Sequence, residues 1–125
     1  MRLLLDTHVL LWLMEDDPRL TAKAHSLIED ASEVYVSSAS IWEIAIKWRL
    51  GKIKENPKIV ADHVQAAGLK ELLVSNRHAV ATGRLPLLHS DHFDRLLVAQ
   101  AVTEPMHLLT ADALLQPYSD LIILV

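Results

Sequence analysis

Five short runs of strand-forming residues, Arg2-Leu5, Val34-Val36, Leu72-Val74, His107-Leu109 and Leu121-Leu124, recur along the chain, and helical patterns fill most of the gaps between them. Strands that alternate with helices cannot be joined by hairpins, so they are expected to pair in parallel through right-handed crossovers. The runs are almost continuously apolar, as strands covered on both faces must be. These two features together predict an α/β fold: a three-layer α/β/α sandwich around a mainly parallel five-stranded sheet. The helix ends are readable. Thr21 caps a helix through Ala31, Ser38 or Ser40 caps one through Leu50 with Gly51 as its stop, and Asn56-Pro57 opens one through Ala67. A shorter helix follows Ser75-Asn76 and ends near Gly83. Asp91 opens another, whose Phe93, Leu96, Leu97, Val98 and Ala101 suit a buried face. Val9 to Met14 is apolar on every side, which predicts burial on both of its faces.

At 125 residues the chain has room for one ordinary core, and residues 1–125 are expected to form a single domain. No internal repeat or linker interrupts it. The absence of cysteine excludes a disulfide framework, a thiolate nucleophile, thiolate-bound zinc and iron–sulfur clusters, and is compatible with a cytoplasmic location. The run Val9 to Met14 is far short of the ~20 residues a membrane span needs, and no export cleavage site follows it. Gly51, Gly68 and Gly83 are too scattered for a Walker loop or a dinucleotide fingerprint, and no serine sits in a G-x-S-x-G setting. Twelve Lys+Arg against sixteen Asp+Glu give a net charge of −4, so an overall basic surface does not argue for nucleic-acid binding.

In parallel sheets the functional crevice lies outside the carboxyl ends of the strands. Asp6 directly follows Leu3-Leu4-Leu5, and Asp112 follows Leu108-Leu109 by only Thr110-Ala111, so both belong on that rim. Glu43 lies five residues beyond Ser38, and Asp94 falls in the first turn of the helix opened by Asp91; each can face the same rim from a helix start. Four clustered carboxylates raise one another's pKa and call for a cation. An oxygen donor set without cysteine suits a hard ion, Mg²⁺ or Mn²⁺, which commonly works on phosphate oxygens. Removing four site carboxylates from a charge of −4 leaves the remainder near neutral, and two divalent ions would have the same effect.

Structural roles compete for each acid. Ser40 and Glu43 stand in a capping-box pattern, and Glu43 can also pair with Lys47 at i,i+4. Asp6, Asp91 and Asp112 can each cap the helix that follows, and Asp94 is favoured in a first turn by the helix dipole. His89-x-x-His92 is the tightest pair among seven histidines, but it lacks an H-E-x-x-H pattern or a cysteine partner for zinc. His8 and His107 flank strand ends and suit hydrogen-bonded structural positions.

Leu4-Leu5-Asp6-Thr7-His8, Ser38-Ala39-Ser40-Ile41-Trp42-Glu43, His89-Ser90-Asp91-His92-Phe93-Asp94-Arg95 and Thr110-Ala111-Asp112 resemble, in order and spacing, the motifs of the PIN domain, and most closely those of VapC-type toxins. The resemblance runs from Arg2 nearly to Val125. It implies strand order 3-2-1-4-5, catalytic and metal-holding acids at Asp6, Glu43, Asp94 and Asp112, and one or two Mg²⁺ or Mn²⁺ ions that activate water for RNA phosphodiester hydrolysis. One position departs: His92 stands where related sequences carry proline, which loosens the helix start slightly without removing an acid.

The same resemblance implies a homodimer silenced by a VapB-like antitoxin, with any contact to operator DNA made by the antitoxin. Thr7, Ser38, Asp91 and Thr110 adjoin the acids and are candidates to orient them, turn or cap roles being the alternative. Lys47, Arg49 and Arg95 are candidates for RNA phosphates, solvated charge or ion pairing being the default. Trp12, Trp42 and Trp48, set beside a single Phe, suit either the core or a dimer or antitoxin surface. Two other readings compete with the nuclease. A phospho-switched receiver domain needs an Asp after the third strand, where this chain has Leu72-Leu73-Val74-Ser75, so acetyl phosphate labelling is expected to fail. A non-catalytic module of the same fold would have no need of the intact acids.

Overall fold

The computed structural model describes residues 1–125. The strands are β1 (Arg2–Leu5), β2 (Glu33–Ser37), β3 (Lys70–Leu72), β4 (His107–Thr110) and β5 (Ile122–Leu124), in one sheet of order β3-β2-β1-β4-β5. All four pairings are parallel, with Leu5 opposite both Val36 and Leu109. Period-two alternation explains the layers: Leu3 and Leu5 of β1 enter one apolar cluster with Val34, Val36 and Leu109, while Leu4 enters another with Leu97, Val98 and Leu108. The central strand is therefore leucine on both faces, and a core lies on each side of the sheet.

Six α-helices cover it: α1 (Thr7–Glu15), α2 (Ala22–Asp30), α3 (Ser38–Arg49), α4 (Pro57–Ala66), α5 (Asn76–Thr82) and α6 (His92–Thr103). Thr21, Asn56, Ser75 and Asp91 cap α2, α4, α5 and α6 as the sequence predicts, with Pro57 opening α4. Gly51 ends the turn after α3 at φ +74°, a conformation that needs no side chain. No helix is long and apolar enough to cross a membrane.

Several details differ from the expectation, the strands β2, β4 and β5 by a residue at one or both ends. β3 is Lys70–Leu72 rather than Leu72–Val74, because it is the sheet's edge and its paired residues Lys70 and Glu71 are exposed and polar. Helix α3 is capped by Ser37, whose Oγ accepts from the Ala39 amide, and neither Ser38 nor Ser40 takes that place. Only Val9 and Leu10 of the apolar run are fully buried; Leu11 to Met14 are half-buried against the same cluster. A 3-10 turn, Ala113–Tyr118, follows β4 and carries Pro117.

Candidate active site

Parallel register places the carboxyl ends of β1, β2 and β4 side by side, and the amide of Asp6 continues the ladder by donating to Leu109 O at 3.0 Å. Asp6 and Asp112 use their two carboxylate oxygens for different purposes. Asp6 Oδ1 accepts from the Val9 amide and caps α1, while Oδ2 accepts from the Thr110 hydroxyl. Asp112 Oδ1 accepts from the Leu114 amide, while Oδ2 meets His89 Nε2 at 2.9 Å. The capping reading is correct for both residues, and it fixes the second oxygen's direction.

Glu43 is buried one helical turn and a half into α3. Its Oε1 accepts from the Thr7 hydroxyl at 2.7 Å, and Thr7 Oγ1 also lies 3.0 Å from Ser40 Oγ, so Thr7 ties α3 to the start of α1 beside Asp6. Glu43 Oε2 pairs with Lys47 at 2.7 Å. The expected capping box is absent, because Ser40 lies inside the helix. Asp94 stands in the first turn of α6, whose cap is made by Asp91 Oδ1 accepting from the Asp94 amide at 2.9 Å.

The four acids form a depth gradient. Asp6 and Glu43 lie buried at the floor, while the side chains of Asp94 and Asp112 keep 23% and 35% of their surface at the mouth. Burial raises the Asp6 pKa, against the lowering effect of its Thr110 and Val9 hydrogen bonds. Asp94 is pushed up to about 7, first by desolvation and then by the charges of Asp91, Asp6 and Glu43, with His89 acting in the opposite direction. Lys47 is raised above its ordinary value by its hydrogen bond to Glu43. Its cation thus answers Glu43, and neither Asp6 nor Asp94 has a cation of its own at hydrogen-bond distance.

His89, weighed in the sequence only as half of a histidine pair for zinc, instead joins two of the site acids. Its ring bridges Asp112 at 2.9 Å and Asp94 at 3.7 Å. Its Nδ1 accepts from the Asp91 amide at 3.0 Å, so the proton of the neutral ring sits on Nε2 and points at Asp112. The Tyr118 hydroxyl accepts from the amides of both Leu88 and His89, at 3.1 and 2.9 Å, and holds the loop that carries the ring. The partner of His89 lies 23 residues away, and no local pattern announces it.

His89, Asp94 and Asp112 together are close enough to surround one ion. In this tautomer the imidazole donates where a ligand must accept, so the carboxylate oxygens are the donors that suit a hard cation. His92 is exposed at the first position of α6 and completes no histidine pair around a metal. Thr7 and Thr110 orient acids directly, and Asp91 caps α6. Ser38 turns away: its Oγ accepts from the Val74 amide and lines a hollow beside Ile41 and Leu69 that holds none of the four acids. Arg95 donates from Nη2 to the carbonyls of Thr82 and Leu85 and closes the loop after α5, so it is a structural tie rather than a free cation. Arg49 is exposed at the end of α3.

A parallel sheet of order 3-2-1-4-5 whose strand ends gather these acids defines the class, and the chain belongs to the PIN domain family, whose model matches residues 3–119. The particular relatives narrow this further. The chain is 27% identical over 121 residues to "Ribonuclease VapC22" of Mycobacterium tuberculosis (strain ATCC 25618 / H37Rv), covering 92% of this chain and 90% of the relative. Among solved structures it is similar to VapBC2 from Rickettsia felis, bound to a DNA fragment from its promoter, with a TM-score of 0.72 at 18% identity over 100% of this chain and 98% of the other. It is similar also to FitAcB from Neisseria gonorrhoeae, with a TM-score of 0.65 at 13% identity over 98% and 96%.

Proposed function

We propose that residues 1–125 act as a single metal-dependent endoribonuclease domain, the toxin of a toxin–antitoxin pair, with Asp6, Glu43, Asp94 and Asp112 as its catalytic acids. The observation that carries this reading is the meeting of the acids: Glu43 lies close enough to raise Asp6, Asp6 and Glu43 both raise Asp94, and Asp112 is joined to Asp94 through His89. The name of the mycobacterial relative supports RNA as the substrate. The titles of the structural neighbours support a VapB-like antitoxin, through which any operator DNA would be contacted, and a homodimer is proposed with it. An RNA substrate of this kind places the work in the cytoplasm.

The donor set fits a hard divalent ion, Mg²⁺ or Mn²⁺: several carboxylate oxygens, two of the acids raised by burial and left without their own cation, and no thiolate. Bound there, such an ion would supply charge neutralisation for a phosphodiester and acidify water at the attacking position. The chain's own residues then have distinct tasks. Thr110 and Val9 fix Asp6 at the floor, Thr7 and Lys47 fix Glu43, and His89 holds Asp112 against Asp94 at the mouth. Asp94, raised by burial and by the charges of Asp91, Asp6 and Glu43, is the mouth acid whose charge a bound cation would most relieve. The resemblance to the PIN domain implies products with 5′-phosphate and 3′-hydroxyl ends, with water rather than the neighbouring 2′-hydroxyl as the nucleophile.

The test incubates purified protein with labelled single-stranded RNA under Mg²⁺ or Mn²⁺, with chelator, and as Asp6→Asn and Asp94→Asn variants. Cleavage that needs the ion and both acids supports the reading. Equal cleavage in every sample, or ends bearing 2′,3′-cyclic phosphate, removes it.

A further inference from the structure

The side chain immediately before each of two site acids is aromatic: Trp42 precedes Glu43 on α3, and Phe93 precedes Asp94 on α6. The two rings meet edge to face, with centroids 5.2 Å apart and planes at 73°. Trp42 is nevertheless 62% exposed, so this single contact leaves most of the indole in water. Trp48 and several leucines are also exposed, but of these large apolar side chains Trp42 is the one whose ring rests on the helix that carries Asp94. Of the other tryptophans, Trp12 packs against the core and carries the Arg19 guanidinium 5.1 Å over its ring. Trp42 has no such cover, and its only ring neighbour belongs to the helix that carries Asp94.

We propose that Trp42, braced by Phe93, is a stacking platform for a nucleobase of the RNA strand, adjoining the bond being cut. This rests on the ribonuclease reading above and adds to it the residue that grips a base. Every base presents a π-face, so a platform of this kind binds single strands with little sequence preference, and it needs none of the positive charge this acidic chain lacks. Arg49 is exposed two helical turns beyond Trp42 on the same face of α3, about 10.5 Å along the axis, within reach of a phosphate of a strand laid along the helix. The edge-to-face contact fixes the indole plane in advance, so little side-chain freedom remains to be lost when a base arrives. Trp42 is a binding residue in this account and transfers no proton.

Steady-state cleavage of a short single-stranded RNA, measured with Mn²⁺ for wild type, Trp42→Ala and Trp42→Phe, provides the test. The same RNA is also assayed with one abasic nucleotide moved through the positions on either side of the cut. Trp42→Ala is expected to raise KM about 10-fold with a much smaller change in kcat, as loss of one stacked base implies, and Trp42→Phe to recover most of the difference. One abasic position should weaken the wild type by a similar factor and leave Trp42→Ala unaffected. Unchanged KM in Trp42→Ala, or an abasic penalty that persists in it, overturns the platform while leaving the nuclease intact. Wild type that cuts no RNA overturns the ribonuclease reading first. Sedimentation velocity of the same proteins separates the competing occupant: if Trp42→Ala turns a dimer into a monomer, the ring serves a second copy of this chain and the proposal fails.

Discussion

Asp94 stands at the mouth of the site with its carboxyl raised by burial and by the neighbouring acids, and its behaviour can be measured without substrate. An unfolded aspartate titrates near 3.9, whereas Asp94 in the folded chain is raised to about 7. Between these values the native state holds a proton that the unfolded state has lost, so this group makes stability fall as pH rises from about 4 to about 7. Above 7 the penalty is fully present. Asp94→Asn removes it. Thermal unfolding of metal-free protein at pH 8 should therefore show Asp94→Asn melting a few degrees above wild type, with the gap closing toward pH 4; a variant that melts lower at pH 8 would contradict the origin of the shift. The same substitution should abolish cleavage. His89 acts at one remove: it donates to Asp112 and lies beside Asp94, with its tautomer set by the Asp91 amide. His89→Ala is expected to lower metal affinity or activity by about 10- to 100-fold, the usual cost of losing a side chain that orients a ligand. Titration of Mn²⁺ by calorimetry checks this, and an unchanged affinity together with unchanged cleavage would leave His89 with only a structural role.

Elements reach the site by two routes, strand ends and helix starts, and they differ in how legible they are. The leucine run of β1 followed at once by Asp6 is readable because a buried strand tolerates no carboxylate except at its end; the same holds for Leu108-Leu109 before Asp112. Caps at Thr21, Asn56, Ser75 and Asp91 are readable because each is a local bond between neighbours. The edge strand escapes by two residues, since the side chains of Lys70 and Glu71 carry no apolar pattern and Lys70 instead pairs with Glu33 of the neighbouring strand. The cap of α3 escapes because Ser37, Ser38 and Ser40 offer the same hydroxyl within one turn, and only the end of β2 selects Ser37. His89 and Tyr118 escape because their partners are distant in sequence. Tyr118 therefore gives the sharpest test at this scale. Tyr118→Phe removes the acceptor of the Leu88 and His89 amides while keeping the ring, so cleavage should fall by less than in His89→Ala, and hydrogen exchange of those two amides should accelerate. By contrast Leu4→Ala, in the centre of the sheet, should cost about 2–5 kcal/mol in urea unfolding.

At the scale of the whole molecule, a chain of net charge −4 must hold a polyanion without an overall basic surface. Among the three basic side chains the sequence offers for RNA phosphates, Lys47 is paired with Glu43 and Arg95 is tied to backbone carbonyls, which leaves Arg49. Binding of single-stranded RNA releases counterions in proportion to the phosphates neutralised, with a slope of about −0.7 per phosphate in log K against log salt. With Arg49 alone left of these three the slope should be shallow, between about −0.7 and −2, whereas a basic nuclease contacting six or more phosphates would exceed −4. Affinity that resists salt must then come from contacts that salt does not screen, and the exposed indole of Trp42 is the surface suited to supply them. Fluorescence anisotropy of labelled RNA on the inactive Asp6→Asn chain, from 50 to 200 mM monovalent salt, measures this directly. Arg49→Ala should flatten the slope by about 0.7, and Trp42→Ala should lower affinity at every salt concentration without changing it. A steep slope that survives Arg49→Ala would mean that RNA is held by basic residues elsewhere on the chain, and the path along α3 would have to be abandoned.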